Sequence, residues 1–364
     1  MRILAVDMGT GTQDILVFDS ETAVENCVKM VMPSATEIAA RRIRRATAEH
    51  RPILLTGVTM GGGPCHWALD EHIRRGGTAF ATQEAARTFD DDLAVVAGMG
   101  VAVVSIDEAA KIRGVERIEM RDLDLASIRR ALSAFEVPAD FDGLAVGCLD
   151  HGAAPPGFSD RLFRFNHLKQ VVQERNDLCS FAFLPSELPE YLTRARSMVS
   201  CIDVETRAVF LDTGAAAALG ALQDPRVAEH EEQLLLNLGN MHALGFHLSG
   251  THIHALFEHH TALLHTRQLE TMTEQFIDGT LSHEEVYASL GHGVFYADRD
   301  HGSTPFLAVT GPQRGKLRGS RLRPYFATPH GDMMISGCFG LVQAFGERYP
   351  DMREAIASAL SASV

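Results

Sequence analysis

Two segments of the chain share one pattern: an apolar strand, a short turn that contains glycine, and a second apolar strand. The first covers residues 2–18 and carries the turn sequence DMGTGTQD at residues 7–14. The second covers residues 234–248 and reads LLLNLGNMHALGFHL. Strands alternate with helices after each segment, which favours mixed sheets with helices on both faces. The pattern therefore predicts an α/β protein whose second half repeats part of the organisation of the first.

The chain length supports more than one domain. With 364 residues, the chain exceeds a typical single domain and predicts two. We place an N-terminal domain at residues 1–205, with an insertion near residues 78–121, and a C-terminal domain at residues 206–364. Apolar residues make up 46% of the chain, which is enough for a large buried core without disulfide bonds.

Charge and cysteine spacing exclude several classes of protein. The net charge of −14 argues against a nucleic-acid or anionic-membrane partner, because both require basic patches. It does not exclude ATP, which backbone amides and a metal ion can hold. The six cysteines form no CxxC pair, so a zinc ribbon or an iron–sulfur site is not expected. Neither a signal peptide nor a long apolar stretch is present, which predicts a cytoplasmic protein.

The turn at residues 7–14 is predicted to bind phosphate. Its glycines let the backbone approach an anion, and its amides and threonine hydroxyls can donate to phosphate oxygens. Asp7, at the end of the first strand, can hold Mg²⁺. The alternative is an ordinary glycine-rich hairpin, but the acid, the paired threonines and the return strand together favour phosphate binding. The expected nucleotide contacts are Gly9, Thr10, Gly11, Thr12 and Gln13.

Three further segments complete the candidate site. Asn237, Gly239 and Asn240 form a turn that is unremarkable alone but becomes the facing half of the site when paired with the first turn. Asp212 ends a strand before a helix of small residues. It suits a general base or an N-terminal helix cap, and its spacing alone favours the cap. The segment with Thr310 and Gly311 could pack against a base, or could simply be a turn after a strand.

These segments occur in the order found in the superfamily of sugar kinases, heat-shock protein 70 and actin, which the chain resembles. DMGTGTQDILVFD is similar to the first phosphate motif, closest to that of carbohydrate kinases. DTGAAAALGAL resembles the kinase segment whose aspartate is the catalytic base, NLGNMHALGF the second phosphate turn, and TGPQRGKL the adenosine motif. The resemblance implies two ribonuclease-H-like (actin-like ATPase) domains around a nucleotide cleft, with ATP and Mg²⁺ as cofactors and Asp7 and Asp212 as catalytic residues.

Two functions follow from the resemblance. One is a kinase or ATPase that acts on an unidentified small molecule. The chain also looks like a small family labelled as pyruvate formate-lyase activating enzymes, a label that implies radical chemistry on an iron–sulfur cluster. Because the CxxxCxxC motif of such enzymes is missing, the second function is an ATP-driven activator of a partner enzyme.

Histidines provide a third hypothesis, a metal-dependent transferase or hydrolase. Seven of the 17 histidines lie in residues 242–265. His252 and His254 share one face of a strand, and Glu258 and His259 follow, so these four could bind a transition metal. The alternative is a strand and loop that use histidine structurally. Residues 150–152 (DHG) and 330–332 (HGD) could likewise point into a cleft or form turns with a capping aspartate.

Overall fold

The computed structural model describes residues 1–298 and 304–361 and places their strands in three sheets. In chain order the strands are β1 (Arg2–Met8), β2 (Thr12–Asp19), β3 (Val28–Pro33), β4 (Ile53–Gly57), β5 (Ala79–Thr82), β6 (Val101–Val104), β7 (Glu116–Met120), β8 (Gly143–Cys148), β9 (Ala182–Phe183), β10 (Ala208–Asp212), β11 (Gln233–Leu238), β12 (His242–Ser249), β13 (His252–His260), β14 (Gly293–Tyr296), β15 (Phe306–Thr310) and β16 (Tyr325–Phe326).

Helices separate most of these strands. They are α1 (Ala35–Ala48), α2 (Pro64–Arg74), α3 (Gln83–Ala86), α4 (Leu93–Gly98), α5 (Ile106–Lys111), α6 (Leu125–Ser133), α7 (Asp160–Glu174), α8 (Thr193–Val199), α9 (Thr213–Ala221), α10 (Pro225–Ala228), α11 (Thr266–Ile277), α12 (His283–Ala288), α13 (Ser336–Arg348) and α14 (Pro350–Ser361). None of the helices in the described ranges combines the length and the apolar composition that crossing a bilayer requires.

The first and second sheets have the same strand order. In the first, the antiparallel strands β3, β2 and β1 are followed by β8 and β10, which run parallel to β1. In the second, β13, β12 and β11 are followed by β15 and β16, which run parallel to β11. Strands β9 and β14 extend the two sheets at their edges. This duplicated order confirms two ribonuclease-H-like domains, the actin-like ATPase fold.

The two halves share one apolar core. Helix α13 packs on β1, β2, β8 and β10 of the first sheet, and also against α9. Helix α9 is almost entirely buried and contacts β11 of the second sheet as well as β8 and β10 of the first. Apolar residues of both sheets belong to one contiguous cluster. The small residues of α9 allow this close approach, since larger side chains would hold the helices apart.

The chain returns to the first sheet after the predicted boundary at residues 205 and 206. Strand β10 lies between β8 and β9, and α13 packs on the same sheet although it lies near the end of the chain. The division into residues 1–205 and 206–364 stays a prediction, and these pairings show that the elements of the first sheet extend beyond residue 205.

The third sheet is parallel throughout, in the order β6-β5-β4-β7. The sequence predicts an insertion near residues 78–121. Strand β4 pairs with β5 and β7 of the third sheet, so this sheet begins before the predicted insertion. Its core is separate from that of the two main sheets and includes residues of α1 and α2.

Helix α1 connects the third sheet to the first turn. Ser34 caps the helix by accepting a hydrogen bond from Glu37 N. The Ser34 hydroxyl also donates to Thr10 O at 2.6 Å. Two residues later, the hydroxyl of Thr36 donates to Gly62 O in the loop that follows β4. The start of α1 therefore fixes two loops that border the cleft between the halves.

Candidate functional site

The two glycine-containing turns are closed by equivalent backbone hydrogen bonds. Gly9 N donates to Thr12 O at 2.9 Å, and Gly239 N donates to His242 O at 2.9 Å. Each turn joins the first and second strands of its sheet, so the repeated fold places them at equivalent positions. We name them the first turn (residues 7–14) and the second turn (residues 237–242).

The two turns face each other across one cavity of about 110 Å³. A side chain on Gly11 would reach within 2.5 Å of the Asn240 amide nitrogen, so the backbone of the first turn is in contact with the second. The predicted residues that line the cavity are Asp7, Gly9, Thr10, Thr12, Asn237, Gly239, Asn240, Thr310 and Gly311. The structure therefore brings together the segments that the sequence analysis grouped.

Gly311 is required by the backbone next to this cavity. Its φ of +92° is disfavoured for other residues, and a Cβ would lie 2.6 Å from the Asn237 amide oxygen. Gln313, two residues later, donates to the Asn240 side chain at 3.2 Å. The segment after β15 is thus packed directly on the second turn.

The side chain of Gln13 does not share the cavity with the rest of the first turn. It donates to Pro33 O at 2.8 Å, on the β3 side of the hairpin. Successive side chains of a strand point to opposite faces of the sheet. Because Thr12 and Asp14 line the cavity, the side chain of Gln13 between them points away from it. The predicted nucleotide contact from the Gln13 side chain is therefore not supported.

Asp7 and Asp14 are directly opposite each other in the β1–β2 pairing, and both line the cavity. The Thr213 hydroxyl donates to Asp7 at 2.5 Å, whereas one buried oxygen of Asp14 has no hydrogen-bond partner among the described residues. Burial raises the pKa of Asp7 to about 7. Burial and the neighbouring Asp7 raise the pKa of Asp14 to about 8. The strand register could have indicated Asp14, which the sequence analysis did not select.

Asp212 caps α9 and forms a buried ion pair. Its carboxylate accepts a hydrogen bond from Gly214 N at 2.9 Å and contacts Arg164 Nη1 at 2.5 Å. Arg164 also pairs with Glu258, at 3.3 Å, and donates to Asp150 O at 3.2 Å. The helix-cap alternative considered for Asp212 is therefore present, and its carboxylate is not among the groups that line the cavity.

Arg164 connects the two halves of the molecule and was not anticipated. It lies on α7, and its partners Asp212 and Glu258 lie on β10 of the first sheet and β13 of the second. All three residues are almost fully buried. Burial raises the pKa of Glu258 to about 7, although Arg164 opposes the change. Sequence patterns gave no signal for this network, because its members are separated by at least 46 positions.

A second cavity, of about 280 Å³, adjoins the first. Thr10, Arg194 and His242 border both cavities, and the glycine loop at residues 61–63 forms part of the second. Arg194 holds that region through a bidentate pair with buried Asp122, at 2.7 and 3.0 Å, and Asp122 in turn accepts from Gly61 N. The third sheet thus contributes one wall of a space next to the two turns.

The four residues predicted to bind a transition metal do not come together. His252 and His254 cluster with Asp298, and His252 Nε2 lies 2.7 Å from the Asp298 carboxylate. Glu258 lies four residues beyond His254 along β13, a distance of about 13 Å in a strand. It pairs with Arg164, and His259 contacts Ser289 at 3.2 Å. The predicted site is therefore corrected to the His252–His254–Asp298 cluster, and a second cluster contains His151, His242 and His292.

The model of a protein family described as "Putative pyruvate format-lyase activating enzyme (DUF1786)" matches residues 60–316. The chain belongs to this family. The resemblance noted from the sequence is thus confirmed. The part matched to the DUF1786 family contains the second turn, Arg164, Arg194 and the histidine clusters, while the first turn precedes it. A comparison of this family member with curated proteins gives no match.

Solved structures similar to this DUF1786 protein include the ethanolamine utilization protein EutJ from Carboxydothermus hydrogenoformans, with 13% identity, coverage of 95% of this chain and 89% of that one, and a TM-score of 0.31. A ROK hexokinase from Thermus thermophilus has 12% identity, covers 96% and 100%, and has a TM-score of 0.34. A Ppx/GppA family member from Aquifex aeolicus has 8% identity, covers 100% and 88%, and has a TM-score of 0.29. The strand order of the two sheets itself defines the fold.

Proposed function

We propose that this protein binds Mg-ATP between the first and second turns and transfers its terminal phosphoryl group to a small polar molecule. The observation that carries the proposal is the shared cavity of the two turns, in which equivalent glycine-centred loops from the two sheets face each other. Backbone amides at such turns, with the hydroxyls of Thr10 and Thr12, suit the oxygens of a polyphosphate.

Helix α13 strengthens the case for an anion. Its first residues, Ser336 and Gly337, line the same cavity. The N-terminus of a 13-residue helix presents unpaired amides and a partial positive charge, which favour a phosphate group. The cavity therefore receives donors from the two turns and from one helix end.

Asp7 and Asp14 fit a Mg²⁺ ion. Magnesium prefers carboxylate oxygens, and the unpartnered buried oxygen of Asp14 is available for an ion or for its bound water. The second turn carries Asn237 where the first carries Asp7, so the acidic pair is confined to one side of the cavity. A bound Mg²⁺ would neutralise phosphate charge, while Thr213 holds the Asp7 carboxylate in place.

The second cavity provides space for the acceptor. It adjoins the phosphate cavity, and its walls include the hydroxyl residues Thr10, Thr36, Thr59 and Thr88. The first cavity, at about 110 Å³, is smaller than the roughly 300–1,000 Å³ of ligand pockets in general. We therefore expect the two halves to move apart when the nucleotide enters.

The general-base role that the resemblance implies for Asp212 stays a prediction. In the present geometry its carboxylate is engaged by Arg164 and by Gly214 N. Accepting a proton from a substrate would require release from Arg164. Asp212→Asn distinguishes the two roles. If Asp212 is the general base, the variant keeps its stability and its nucleotide affinity but loses turnover. If Asp212 is structural, the variant loses stability first.

Calorimetric titration with Mg-ATP tests the proposal. Wild type should bind one nucleotide, and Asp14→Asn should weaken magnesium-dependent binding by about tenfold or more, equivalent to about 1.4 kcal/mol. Asp140→Asn, at an exposed position, is the matched control and should bind as wild type does. ADP release should then rise when a responsive sugar or polyol is added. Absence of magnesium-dependent ATP affinity would overturn the proposal. If ADP is released without any acceptor, the protein hydrolyses ATP instead of transferring the phosphoryl group, as the hypothesis of an ATP-driven activator requires.

A further inference from the structure

Three histidines from both halves of the chain converge beside the two cavities. His151 lies in the loop after β8 of the first sheet, His242 begins β12, and His292 immediately precedes β14 of the second sheet. One ring nitrogen from each lies within 4.8 Å of the others. No sequence pattern joins them, since they are separated by 91 and 50 positions.

The backbone around each histidine is fixed. The Asp150 carboxylate accepts from Gly152 N at 2.8 Å and from Ala195 N at 2.9 Å, which holds the loop that carries His151. His242 lies opposite His260 in the β12–β13 pairing. His292 N donates to Glu258 O at 2.9 Å. The convergence therefore results from ordered backbone and not from chance positions of surface side chains.

The imidazole of His292 is a buried polar group. It is fully buried, and neither of its ring nitrogens has a hydrogen-bond partner among the described residues. Leaving such a group unpaired is costly, and native proteins usually supply a partner, a water or an ion. The ring of His292 stacks on that of His151 with a centroid separation of 5.6 Å. A ligand bound between the histidines would satisfy one of its nitrogens.

The spacing fits a metal ion. His151 Nε2 and His242 Nε2 lie 3.3 Å apart. In a tetrahedral zinc site with Zn–N bonds of about 2.0–2.1 Å, ligand nitrogens lie about 3.3–3.4 Å apart. The third nitrogen lies within 4.8 Å of the other two, and a rotation of its imidazole would bring it to the same ion.

Two arginines near the cluster are paired with carboxylates. Arg164 pairs with Asp212 and Glu258, and Arg194 pairs with Asp122. Arg161 is close to His292 as well and donates to the carbonyl oxygens of Tyr287 and Gly291. Metal binding uses the neutral form of each imidazole.

We propose that His151, His242 and His292 bind one divalent transition-metal ion at the junction of the two halves, next to the second cavity. Three histidine ligands leave a fourth coordination position, as in catalytic zinc sites. His151 and His242 border the second cavity, so this position is accessible to a water molecule or to an oxygen of the molecule bound there. The ion would act as a Lewis acid on that oxygen. The proposal is independent of nucleotide binding.

Zinc titration of the full-length protein tests the site without nucleotide. After chelator treatment, wild type should bind one tight equivalent of Zn²⁺ and gain several degrees in Tm, because an ion that binds only the folded state stabilises it. His242→Asn and His151→Gln should each weaken this binding by at least about 100-fold, more than the loss of an outer-shell partner causes. Co²⁺ should give the visible spectrum of a tetrahedral nitrogen-ligated ion in wild type and lose it in both variants.

The other histidine cluster provides the matched control. His252→Gln and Asp298→Asn remove two members of the exposed cluster and should leave the tight equivalent unchanged. Circular dichroism establishes that each variant is folded. Because two ligands are replaced in separate variants, the test can still be made if one variant does not fold. The proposal is overturned if folded wild type binds no tight Zn²⁺. It is equally overturned if His252→Gln abolishes binding while His242→Asn does not.

Discussion

Gly337, at the start of α13, lies against the carboxylate of Asp7. A Cβ at this position would overlap Asp7 Oδ2, so Gly337→Ala must displace the carboxylate or the helix end. We expect magnesium-dependent ATP affinity to fall by about tenfold or more, equivalent to about 1.4 kcal/mol, because the displaced carboxylate cannot hold the ion in place. Calorimetric titration measures this loss.

Gly98→Ala is the control for this substitution. Gly98 ends α4, and no atom lies within 4 Å of the position that a Cβ would take there. Alanine there should leave ATP affinity unchanged and alter stability by no more than about 1 kcal/mol, in the stabilising direction. Equal ATP affinity in Gly337→Ala and wild type would show that the contact with Asp7 does not matter for binding.

His167 makes a separate contribution to the pH dependence of stability. It is buried on α7, contacts the Tyr191 hydroxyl at 3.1 Å, and has a pKa lowered to about 4 by burial and by Arg164, with Asp212 and Glu174 opposing. In the unfolded chain this imidazole takes up a proton near pH 6.5, whereas in the folded state it does so only near pH 4. The folded state therefore loses stability relative to the unfolded state as pH falls from about 6.5 to 4. Above pH 7 this contribution to the pH dependence vanishes.

Replacing His167 should flatten this part of the pH profile. His167→Gln should remove up to about 3 kcal/mol of the stability that wild type loses between pH 7 and pH 4. Chemical denaturation at several pH values measures the difference, and His265→Gln, at an exposed position, is the control. If His167→Gln and wild type lose stability in parallel as pH falls, His167 does not titrate as described.

At the scale of elements, the start of α1 couples helix capping to the first turn. The Ser34 hydroxyl accepts from Glu37 N and donates to Thr10 O. Ser34→Ala should cost about 1 kcal/mol of stability through the lost cap. It should also weaken Mg-ATP binding by roughly 2- to 10-fold, because Thr10 loses a fixed partner.

Ser105 separates these two effects. It caps α5 through a complete capping box with Glu108, at an exposed position in the third sheet region. Ser105→Ala should therefore cost a similar amount of stability and leave ATP affinity unchanged. Thermal melts and titrations of both variants provide the comparison. A Ser34→Ala protein that is destabilised but binds ATP normally would show that the Thr10 contact is not part of the site.

The elements could be predicted from the sequence where the determinant is local. The glycine and threonine residues of the first turn, the Ser34 cap and the two strand–turn–strand segments all depend on neighbours in the chain. Strand β4 shows the limit. Its sequence, ILLTG, reads as a buried strand in either sheet, and only pairing with β5 and β7 decides which. Local composition could not assign it.

The same limit applies to the site. Asp7 and the two turns were found because both lie in repeated motifs, and the repeat predicts that they face each other. Arg164 and His292 were missed because their significance depends on residues far away in the chain. A buried arginine and a buried histidine have no sequence signature, since their partners become visible only when the two halves pack together.

In the molecule as a whole, the Arg164 network joins the two halves through an almost fully buried charge. Removing one member of a buried ion pair leaves the others without compensation, which typically costs 3–5 kcal/mol. Arg164→Met leaves the carboxylates of Asp212 and Glu258 without a positive partner, whereas Met retains much of the apolar part of the arginine side chain. We therefore expect the free energy of unfolding to fall by about 3–5 kcal/mol in chemical denaturation at neutral pH.

Arg207→Met shows how much of this loss is specific to burial. Arg207 forms an ion pair with Asp351 at 2.6 Å, but its side chain is 44% exposed and that of Asp351 is 60% exposed. Solvent screens such a pair, so the change should leave the free energy of unfolding nearly unchanged. Hydrogen exchange should in addition lose protection in β10 and β13 for Arg164→Met only, since those strands carry its partners. Equal losses in the two variants would mean that the halves are held together by their shared apolar core and not by the buried charges.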